Sequence, residues 1–311
     1  MPKISILLPN YNSGSYVSEC IASIQAQTIT EYEVIIGDSG SNDGSAELLR
    51  EYAQGDERVK FYSIAREGIY PGWNECLSRA TGDFIHVCTA DDWIAPDLLQ
   101  HLLSRLLEDE ELMATYAPLA WADFEGNLDH DKWPRLNSVA CLPDCRKRLY
   151  GTDSLKKMFL LGHPIISINQ LLIRRHAFDW VGQFPANIGR AGDLLWQLRL
   201  VACSPIEHVS KSYAVWRVHP GQATGNDKLA NKLLNIQCQE HLIDDAIVDN
   251  SQLLPIIKWN RLSLALRCNS IGTLKRLCWI LGGVLYFPML VRRAMLPATD
   301  RLRYIQEYFR L

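Results

Sequence analysis

The chain of 311 residues lacks both of the glycine-rich loops that are typical of common nucleotide-binding folds. No G-x-G-x-x-G follows the first predicted strand, and no G-x-x-x-x-G-K-S/T occurs at any position. Such loops cradle phosphates with backbone N–H groups, and dinucleotide-dependent dehydrogenases and P-loop kinases depend on them. Their absence argues against both classes of enzyme.

The nine cysteines lack the regular spacing of a disulfide scaffold or a zinc site. Cys141 and Cys145 are close, but no second cysteine or histidine pair follows at zinc spacing. The apolar run at the first residues is also too short for a signal peptide. We therefore expect buried free thiols and a cytoplasmic protein, with the inner face of the cytoplasmic membrane as its expected site of attachment.

A long hydrophobic run is missing as well. The uncharged stretch 277–291 has fifteen residues and is interrupted by two glycines and a proline, whereas a membrane span needs about 20 apolar residues. Its flanks, Lys275-Arg276 and Arg292-Arg293, are basic. The stretch is therefore expected either to lie in an anionic membrane surface or to be a buried helix with basic ends.

Charge is distributed unevenly along the chain. The whole chain has a formal net charge of −3, but residues 258–311, the basic tail, hold ten Lys/Arg and two Asp/Glu. The rest of the chain is correspondingly acidic. An acidic body with a basic tail predicts a negatively charged partner for the tail, such as a membrane surface, with an oligomer contact as the alternative.

Strand-like and helix-like patterns alternate over the first third of the chain. The predicted strands are 4–8, 34–36, 59–64 and 84–87, and the predicted helices are 17–24, 46–52, 73–80 and 96–107. This alternation predicts an α/β fold with a mostly parallel, twisted sheet flanked by helices. Residues 108–160 are less regular and predict an insertion or a loop over the site.

Polar residues follow three of the predicted strands, in the segments 9–14, 38–45 and 91–92. Ligands of open parallel sheets bind at the carboxyl ends of the strands, so these segments are candidate binding loops. Asp91 and Asp92 would repel each other unless a cation or several donors stabilised them. A divalent metal shared with diphosphate oxygens would do so, and the alternative is Asp92 as the N-cap of the next helix.

Asp38 ends the second predicted strand and could accept hydrogen bonds from a nucleotide base, with an Asx-turn as the alternative. Tyr11 could stack on a flat base, although a loop tyrosine can equally be structural. For Asp193, the run Gly189–Asp193 allows a helix N-cap as well as a functional carboxylate, and His219 before Pro220-Gly221 could be a turn histidine.

Several runs together resemble family 2 glycosyltransferases. They are ISILLPNYN (4–12), SIQAQT (23–28), IGDSGSNDG (36–44), NECLSRATGDFI (74–85), TADD (89–92), GQFP (182–185), AGDLLWQLR (191–199) and WRVHPG (216–221). The resemblance covers roughly residues 3–221 and keeps the order of the family's motifs.

The resemblance implies a GT-A fold and inverting sugar transfer from a nucleotide-diphosphate sugar, most simply a UDP-sugar, with Mn²⁺ or Mg²⁺. It implies that Pro9, Tyr11, Asp38, Arg66 and Asp91 bind the donor, that Asp92 and His219 bind the metal, and that Asp193 is the catalytic base. The acceptor would be a glycan or a lipid-linked sugar in cell-surface polysaccharide synthesis, and nucleic acid is not an expected partner. The catalytic base is needed because direct displacement at the anomeric carbon requires the acceptor hydroxyl to lose its proton.

Two departures from the family pattern stand out. Ser39 follows Asp38 where the family often has a second Asp, and Thr89 stands where the family often begins an Asp-x-Asp motif. A Gln-x-x-Arg-Trp run is absent, which argues against a processive synthase. The alternatives are a sugar nucleotidyltransferase, disfavoured because Pro9–Gly14 has no Lys or Arg, and a non-catalytic binding or scaffold protein.

The motifs also divide the chain. Residues 1–225 are predicted to form the transferase domain, with a nucleotide-sugar half at about 1–107 and an acceptor half at about 108–225. Residues 226–311 are predicted to be a helical, basic C-terminal region.

Overall fold

The structure is a computed structural model that describes residues 3–129, 148–222, 228–245 and 250–268. Its strands are β1 (Ile4–Asn10), β2 (Tyr32–Asp38), β3 (Val59–Ser63), β4 (Phe84–Val87), β5 (Trp93–Ile94), β6 (Ala114–Tyr116), β7 (Leu119–Ala122), β8 (Arg148–Leu149), β9 (Leu171–Arg174), β10 (Ile206–His208) and β11 (Ala214–Arg217). Its helices are α1 (Val17–Gln25), α2 (Ser45–Gly55), α3 (Ile69–Leu77), α4 (Leu98–Glu108), α5 (Gly151–Leu161), α6 (Ala177–Val181), α7 (Gly192–Cys203), α8 (Lys228–Asp244) and α9 (Asn250–Cys268).

Eight strands form the main sheet, in the order β3-β2-β1-β4-β9-β6-β10-β8. β1 pairs in parallel with β2 and β4, and β2 pairs in parallel with β3. β9 runs antiparallel to both β4 and β6, and β8 runs antiparallel to β10. The predicted α/β fold with a mostly parallel sheet is confirmed, and the strands that run antiparallel to their neighbours are β8 and β9.

The central strands are buried on both faces, which explains their almost wholly apolar sequence. In β1, Ile4, Ile6 and Leu8 pack into one core cluster, whereas Leu7 packs into the cluster on the opposite face. Successive side chains of a strand point to opposite faces, so a run without polar alternation requires helices on both sides. This double burial holds the carboxyl ends of β1 and β4 rigidly at one edge of the sheet.

A second, three-stranded sheet has the order β5-β11-β7. β11 is antiparallel to β5, with Val215 opposite Trp93, and parallel to β7. Asp92 immediately precedes β5 and Arg217 ends β11. Antiparallel pairing therefore places the residues just before β5 beside the residues just after β11, although they are far apart in sequence.

Most predicted elements are found, and the differences have local causes. α3 begins at Ile69 rather than at residue 73, because Pro71 falls in the first turn, where an N–H has no intrahelical partner to lose. The N-cap of α4 is Asp97, and β5 lies between it and Asp92, so the capping alternative for Asp92 is wrong. Within 108–160, the described residues form β6, β7, β8 and α5 rather than one irregular loop.

The described part of the predicted C-terminal region is helical. α8 packs on α7, and α9 packs on α5 and α8. Ile236 and Leu242 of α8 and Leu253 of α9 belong to the core cluster that also contains Leu7. The boundary near residue 225 and the halves of the transferase domain stay predictions, and the stretch 277–291 lies outside the described residues.

In the part of the chain that the structure describes, no helix combines the length and the apolar character needed to cross a membrane. Five cysteines in that part are free thiols, and four of them are buried. Cys20 of α1 and Cys88, which follows β4, are the closest pair, with 3.5 Å between their sulfur atoms. Cys141 and Cys145 lie outside the described residues.

Candidate active site

A cleft of about 520 Å³ opens at the carboxyl ends of β1 and β4. Seven of the eight residues predicted for the site line it: Pro9, Tyr11, Arg66, Asp91, Asp92, Asp193 and His219. They come from five separate segments of the chain. The fold therefore gathers the predicted carboxylates, the histidine and the aromatic side chain on the walls of one cavity.

Asp38 is the predicted residue that does not line this cleft. It is 2% exposed, and its carboxylate accepts hydrogen bonds from Asn10 Nδ2 at 2.8 Å and Ser41 Oγ at 2.6 Å. The backbone N–H groups of Gly40 and Ser41 also donate to it. This matches the Asx-turn alternative, while Ser39 next to it lines the cleft. Base binding by Asp38 stays a prediction.

Tyr11 and Arg66 form one wall of the cleft. The Arg66 guanidinium carbon lies 3.9 Å from the centroid of the Tyr11 ring, a cation–π contact. Tyr11 is 42% exposed, which leaves part of its surface accessible to a ligand. A planar cation stacked on a planar ring offers a flat, positively charged surface. Such a surface suits a nucleotide base or its phosphates.

The Asp91 carboxylate, before β5, lies next to the His219 imidazole, after β11. Asp91 Oδ2 lies 3.1 Å from His219 Nε2, and His219 Nδ1 lies 3.0 Å from the carbonyl oxygen of Pro220. The hydrogen bond with Asp91 raises the pKa of His219 above its ordinary value. Both ring nitrogens therefore face acceptors, and Tyr16 packs against the ring at 4.4 Å between centroids.

Asp92 is held quite differently from its neighbour. It is 3% exposed, and each of its oxygens accepts a hydrogen bond, from Thr89 Oγ1 at 2.6 Å and from the Arg217 backbone N–H at 2.9 Å. Burial, followed by the nearby charge of Asp91, raises the pKa of Asp92. The structure thus pairs His219 with Asp91 rather than with Asp92, the residue expected to share a metal with it.

The donor set at Asp91 and His219 fits a divalent cation. One carboxylate oxygen and one imidazole nitrogen 3.1 Å apart can ligate a single ion, and this mixture suits Mn²⁺. Among the described residues, no group of three His, Cys, Asp or Glu side chains could hold a metal. The described residues would supply two ligands here, and phosphate oxygens and water would complete the coordination.

Arg217 connects three segments of the chain around this part of the cleft. It is 2% exposed, its Nε donates to the Asp91 carbonyl oxygen at 3.1 Å, and Nη1 donates to the Phe124 carbonyl oxygen at 3.0 Å. Its Nη2 pairs with the Glu19 carboxylate of α1. One buried guanidinium therefore connects α1, the Asp91 loop and the turn after β7.

Asp193 lies in the first turn of α7, whose N-cap is Ala191, so Asp193 is not itself the cap. Its Oδ1 accepts a hydrogen bond from the Tyr70 hydroxyl at 2.8 Å. Burial raises the pKa of Asp193, while hydrogen bonds from Tyr70 and from backbone N–H groups at the helix start oppose that rise. The result is a partly buried carboxylate that lines the cleft and accepts a hydrogen bond from one side chain.

Gly192 makes the contact between Tyr70 and α7 possible. A Cβ atom on Gly192 would lie 2.7 Å from the Tyr70 ring and 2.2 Å from the Pro185 carbonyl oxygen. Real Cβ atoms do not approach so closely, so any side chain here would push α3 and α7 apart. The glycine of the Gly-Asp pair is therefore a packing requirement of the Asp193 site.

Tyr70, Arg190 and Gly68 are among the cleft residues that were not predicted from the sequence. Arg217, which acts from behind the cleft wall, was also missed. A basic residue in an otherwise apolar strand, two positions before His219, was a usable signal for Arg217. Tyr70 gave no such signal, because its partner is 123 residues away in the chain.

The sequence model of glycosyl transferase family 2 matches residues 5–180, more than half of the chain. The chain belongs to glycosyl transferase family 2. The resemblance stated from the motifs is confirmed, and the runs that contain Asp193 and His219 lie beyond the matched residues of this family 2 glycosyltransferase domain.

Among curated relatives, this family 2 glycosyltransferase chain is similar to a chondroitin synthase of Escherichia coli. The two are 28% identical over 243 residues, which cover 78% of this chain and 32% of the synthase. The chain thus spans about a third of the length of that relative.

Two solved structures show the same fold. S. aureus TarS in complex with UDP-GlcNAc has a TM-score of 0.62 and 17% identity, over 98% of this chain and 87% of that chain. The mannosyltransferase PcManGT from Pyrobaculum calidifontis, in complex with GDP-Man and Mn²⁺, has a TM-score of 0.55 and 18% identity, over 97% and 84%. The likeness establishes the expected GT-A fold.

Proposed function

We propose that this chain is an inverting, non-processive glycosyltransferase that moves a sugar from a nucleotide-diphosphate sugar to a hydroxyl of a glycan or lipid-linked acceptor. The observation that carries the proposal is that Asp193 and the Asp91–His219 pair border the same cleft. A base for the acceptor and a site for the donor diphosphate are thereby available on one cavity. The relative named chondroitin synthase supports a role in polysaccharide synthesis.

In the proposed reaction, an acceptor hydroxyl oxygen forms a bond to the anomeric carbon of the donor sugar. The bond from that carbon to the diphosphate oxygen breaks, and the nucleoside diphosphate leaves with the bonding electron pair. The acceptor proton passes to a carboxylate oxygen of Asp193. Attack opposite the leaving group inverts the anomeric configuration.

Asp193 suits this task because it is partly buried in the wall of the cleft. Burial raises the pKa of its carboxyl, which makes the carboxylate a stronger base than an exposed aspartate. The Tyr70 hydroxyl holds Oδ1, so the orientation of the carboxylate is fixed before a ligand arrives. A base fixed in this way loses little entropy on reaching the transition state.

Asp91 and His219 would hold a divalent cation, and Asp92 and Arg217 would keep the loop that carries Asp91 in place. When bound, such an ion neutralises charge on the departing diphosphate. Tyr11 and Arg66 would bind the nucleotide, with the base against the exposed part of the tyrosine. The neighbours that contain UDP-GlcNAc and GDP-Man support a nucleotide-sugar donor, and a UDP-sugar is the first to test.

A direct experiment is calorimetric titration of the protein with UDP and with several UDP- and GDP-sugars, with and without Mn²⁺. We expect metal-dependent binding of one nucleotide and slow metal-dependent hydrolysis of its sugar. Asp91→Asn and His219→Ala should weaken binding in the presence of Mn²⁺ and leave metal-free binding unchanged. Asp179→Asn, at an exposed carboxylate of α6, is the control. Nucleotide binding without any turnover would favour the scaffold alternative.

A further inference from the structure

Arg190 lines the cleft three residues before Asp193. It belongs to a short 3-10 turn, Gly189–Ala191, that leads directly into α7. Gly189 has a φ of 59°, a left-handed conformation that glycine adopts without strain, and this lets the chain enter the turn. The turn and the helix start therefore place a guanidinium and the proposed base in one continuous segment of the cleft wall.

Among the described residues, this guanidinium is engaged by a neutral group. Arg190 Nη2 donates to the amide oxygen of Asn231, on α8, at 2.8 Å. Other arginines of the body form carboxylate pairs, including Arg58 with Asp56 and Arg199 with Asp245. Across the described ranges, no carboxylate lies within ion-pair distance of Arg190. A partly buried cation in the cleft wall thus has no carboxylate partner in the part of the chain that the structure describes.

We propose that Arg190 binds an anionic group of the acceptor, a carboxylate or a phosphate, and selects acidic acceptors over neutral ones. This inference rests on the proposed transferase function and defines the chemical class of its acceptor. A guanidinium presents several N–H donors in a planar fork that matches both anions, and Asn231 fixes one of them. The remaining edge is available to a ligand in the cleft.

The position of Arg190 favours the acceptor over the donor. The base must face the acceptor hydroxyl, on the side of the sugar opposite to the leaving diphosphate. The diphosphate end of the cleft is the Asp91–His219 pair, on the loop after β4 and the segment after β11. Arg190 shares its segment with Asp193, and Asn231 ties it to α8 rather than to the Asp91 loop.

The test uses pairs of acceptor analogues that differ only in the anion. For a carboxylate, p-nitrophenyl glucuronide is compared with p-nitrophenyl glucoside; for a phosphate, glucose 1-phosphate is compared with methyl glucoside. Binding to the full chain, saturated with UDP and Mn²⁺, is measured by calorimetry. We expect the anionic member of at least one pair to bind about ten-fold or more tightly than its neutral partner.

Arg190→Gln should abolish this preference, Arg190→Lys should retain part of it, and Arg175→Gln, an exposed arginine outside the cleft, should leave it intact. UDP affinity should be the same in all four proteins.

Equal binding of both members of both pairs by the wild type would overturn the proposal. So would an unchanged preference in Arg190→Gln, or a loss of UDP affinity in that variant, which would place Arg190 on the donor. If wild type bound no nucleotide at all, the proposed function itself would fail, and the UDP titration alone would reveal it.

Discussion

Glu33 on β2 is buried and Asp193 at the start of α7 is partly buried, and the pKa values of the two carboxyl groups are shifted in opposite directions. Although burial opposes it, hydrogen bonds from Ser5, Thr81 and Lys60 lower the pKa of Glu33 to about 2. Asp193 accepts one side-chain hydrogen bond, from Tyr70, and burial raises its pKa. Glu33 thus accepts hydrogen bonds from several donors, which stabilise its charged form. Asp193, beside the cleft, has fewer donors and remains the stronger base.

The contrast shows that burial alone does not mark a catalytic carboxylate. What separates the two is the number of donors that the protein supplies to the charged form. Asp92 accepts a hydrogen bond on each of its two oxygens, which is fewer donors than Glu33 has. Burial and the nearby charge of Asp91 nevertheless raise its pKa. Variants that remove either the donors or the carboxylate should therefore distinguish structural from chemical roles.

The largest effect is expected at Asp193. Asp193→Asn keeps an oxygen for the Tyr70 hydroxyl but removes the base, so kcat should fall by about 10²–10⁴-fold. Nucleotide affinity, measured by calorimetry, should stay within about two-fold of wild type. Asp179→Asn should behave as wild type in both measurements. Transfer by purified Asp193→Asn at the wild-type rate would remove Asp193 from the mechanism.

At Asp92, the predicted effect is on stability. Asp92→Ala leaves the Thr89 hydroxyl and the Arg217 N–H without their buried acceptor, which should cost about 2–4 kcal/mol of the free energy of unfolding in urea. Asp92→Asn keeps one acceptor oxygen and removes a buried charge, so its cost should be below about 1 kcal/mol. If both variants lost the same stability, the negative charge rather than the hydrogen bonds would hold the loop.

Glu33 predicts a pH dependence of stability. Its folded pKa of about 2 lies below the ordinary value of 4.5, so its contribution is complete above about pH 5 and is lost as the pH falls toward 2. The loss should be about 2–3 kcal/mol of the unfolding free energy. Glu33→Gln should flatten the stability curve over this interval. Glu31→Gln, at an exposed carboxylate paired with Lys3, should reproduce the wild-type curve.

The smallest effect on activity is expected from removing the Tyr70 hydroxyl. This hydroxyl stabilises the charged form of Asp193, so Tyr70→Phe should raise the pKa of that carboxyl further. The acid limb of the kcat profile should then move by about one unit to higher pH, with a plateau near the wild-type value. Tyr62→Phe, on β3 outside the cleft, is the matched control. An unshifted acid limb in Tyr70→Phe would mean that another group controls it.

Much of the fold followed from the sequence because its signals are local. The short apolar runs of β1 and β2 are buried on both faces of the sheet, and the leucines of α4 recur at helical spacing on its buried side. The loop residues Tyr11, Asp91 and Asp92 were found because each follows a strand whose carboxyl end could be predicted. The start of α3 was predicted at residue 73 but lies at Ile69, with Pro71 in the first turn of the helix.

The remaining site residues depend on contacts that no local pattern records. Arg190 meets Asn231 across 41 positions, and Tyr70 meets Asp193 across 123. Asp92 and His219 were both expected to bind a metal, which stays a prediction, and only the register of β5 on β11 shows that the His219 imidazole lies beside the Asp91 carboxylate. Asp38 was assigned from its place at a strand end, whereas its loop supplies donors for the whole carboxylate.

The second sheet also has a consequence for folding. Asp91 and His219 are 128 positions apart, and they meet only when β11 has paired with β5. Closing so long a loop costs more entropy than forming the neighbouring β1–β2 and β2–β3 pairs, so we expect this pairing to form late. A chain in which the parallel strands have formed but β11 has not yet paired with β5 would have a hydrophobic core and an incomplete cleft. Kinetic experiments should therefore find that ligand-binding competence appears only in the last folding phase.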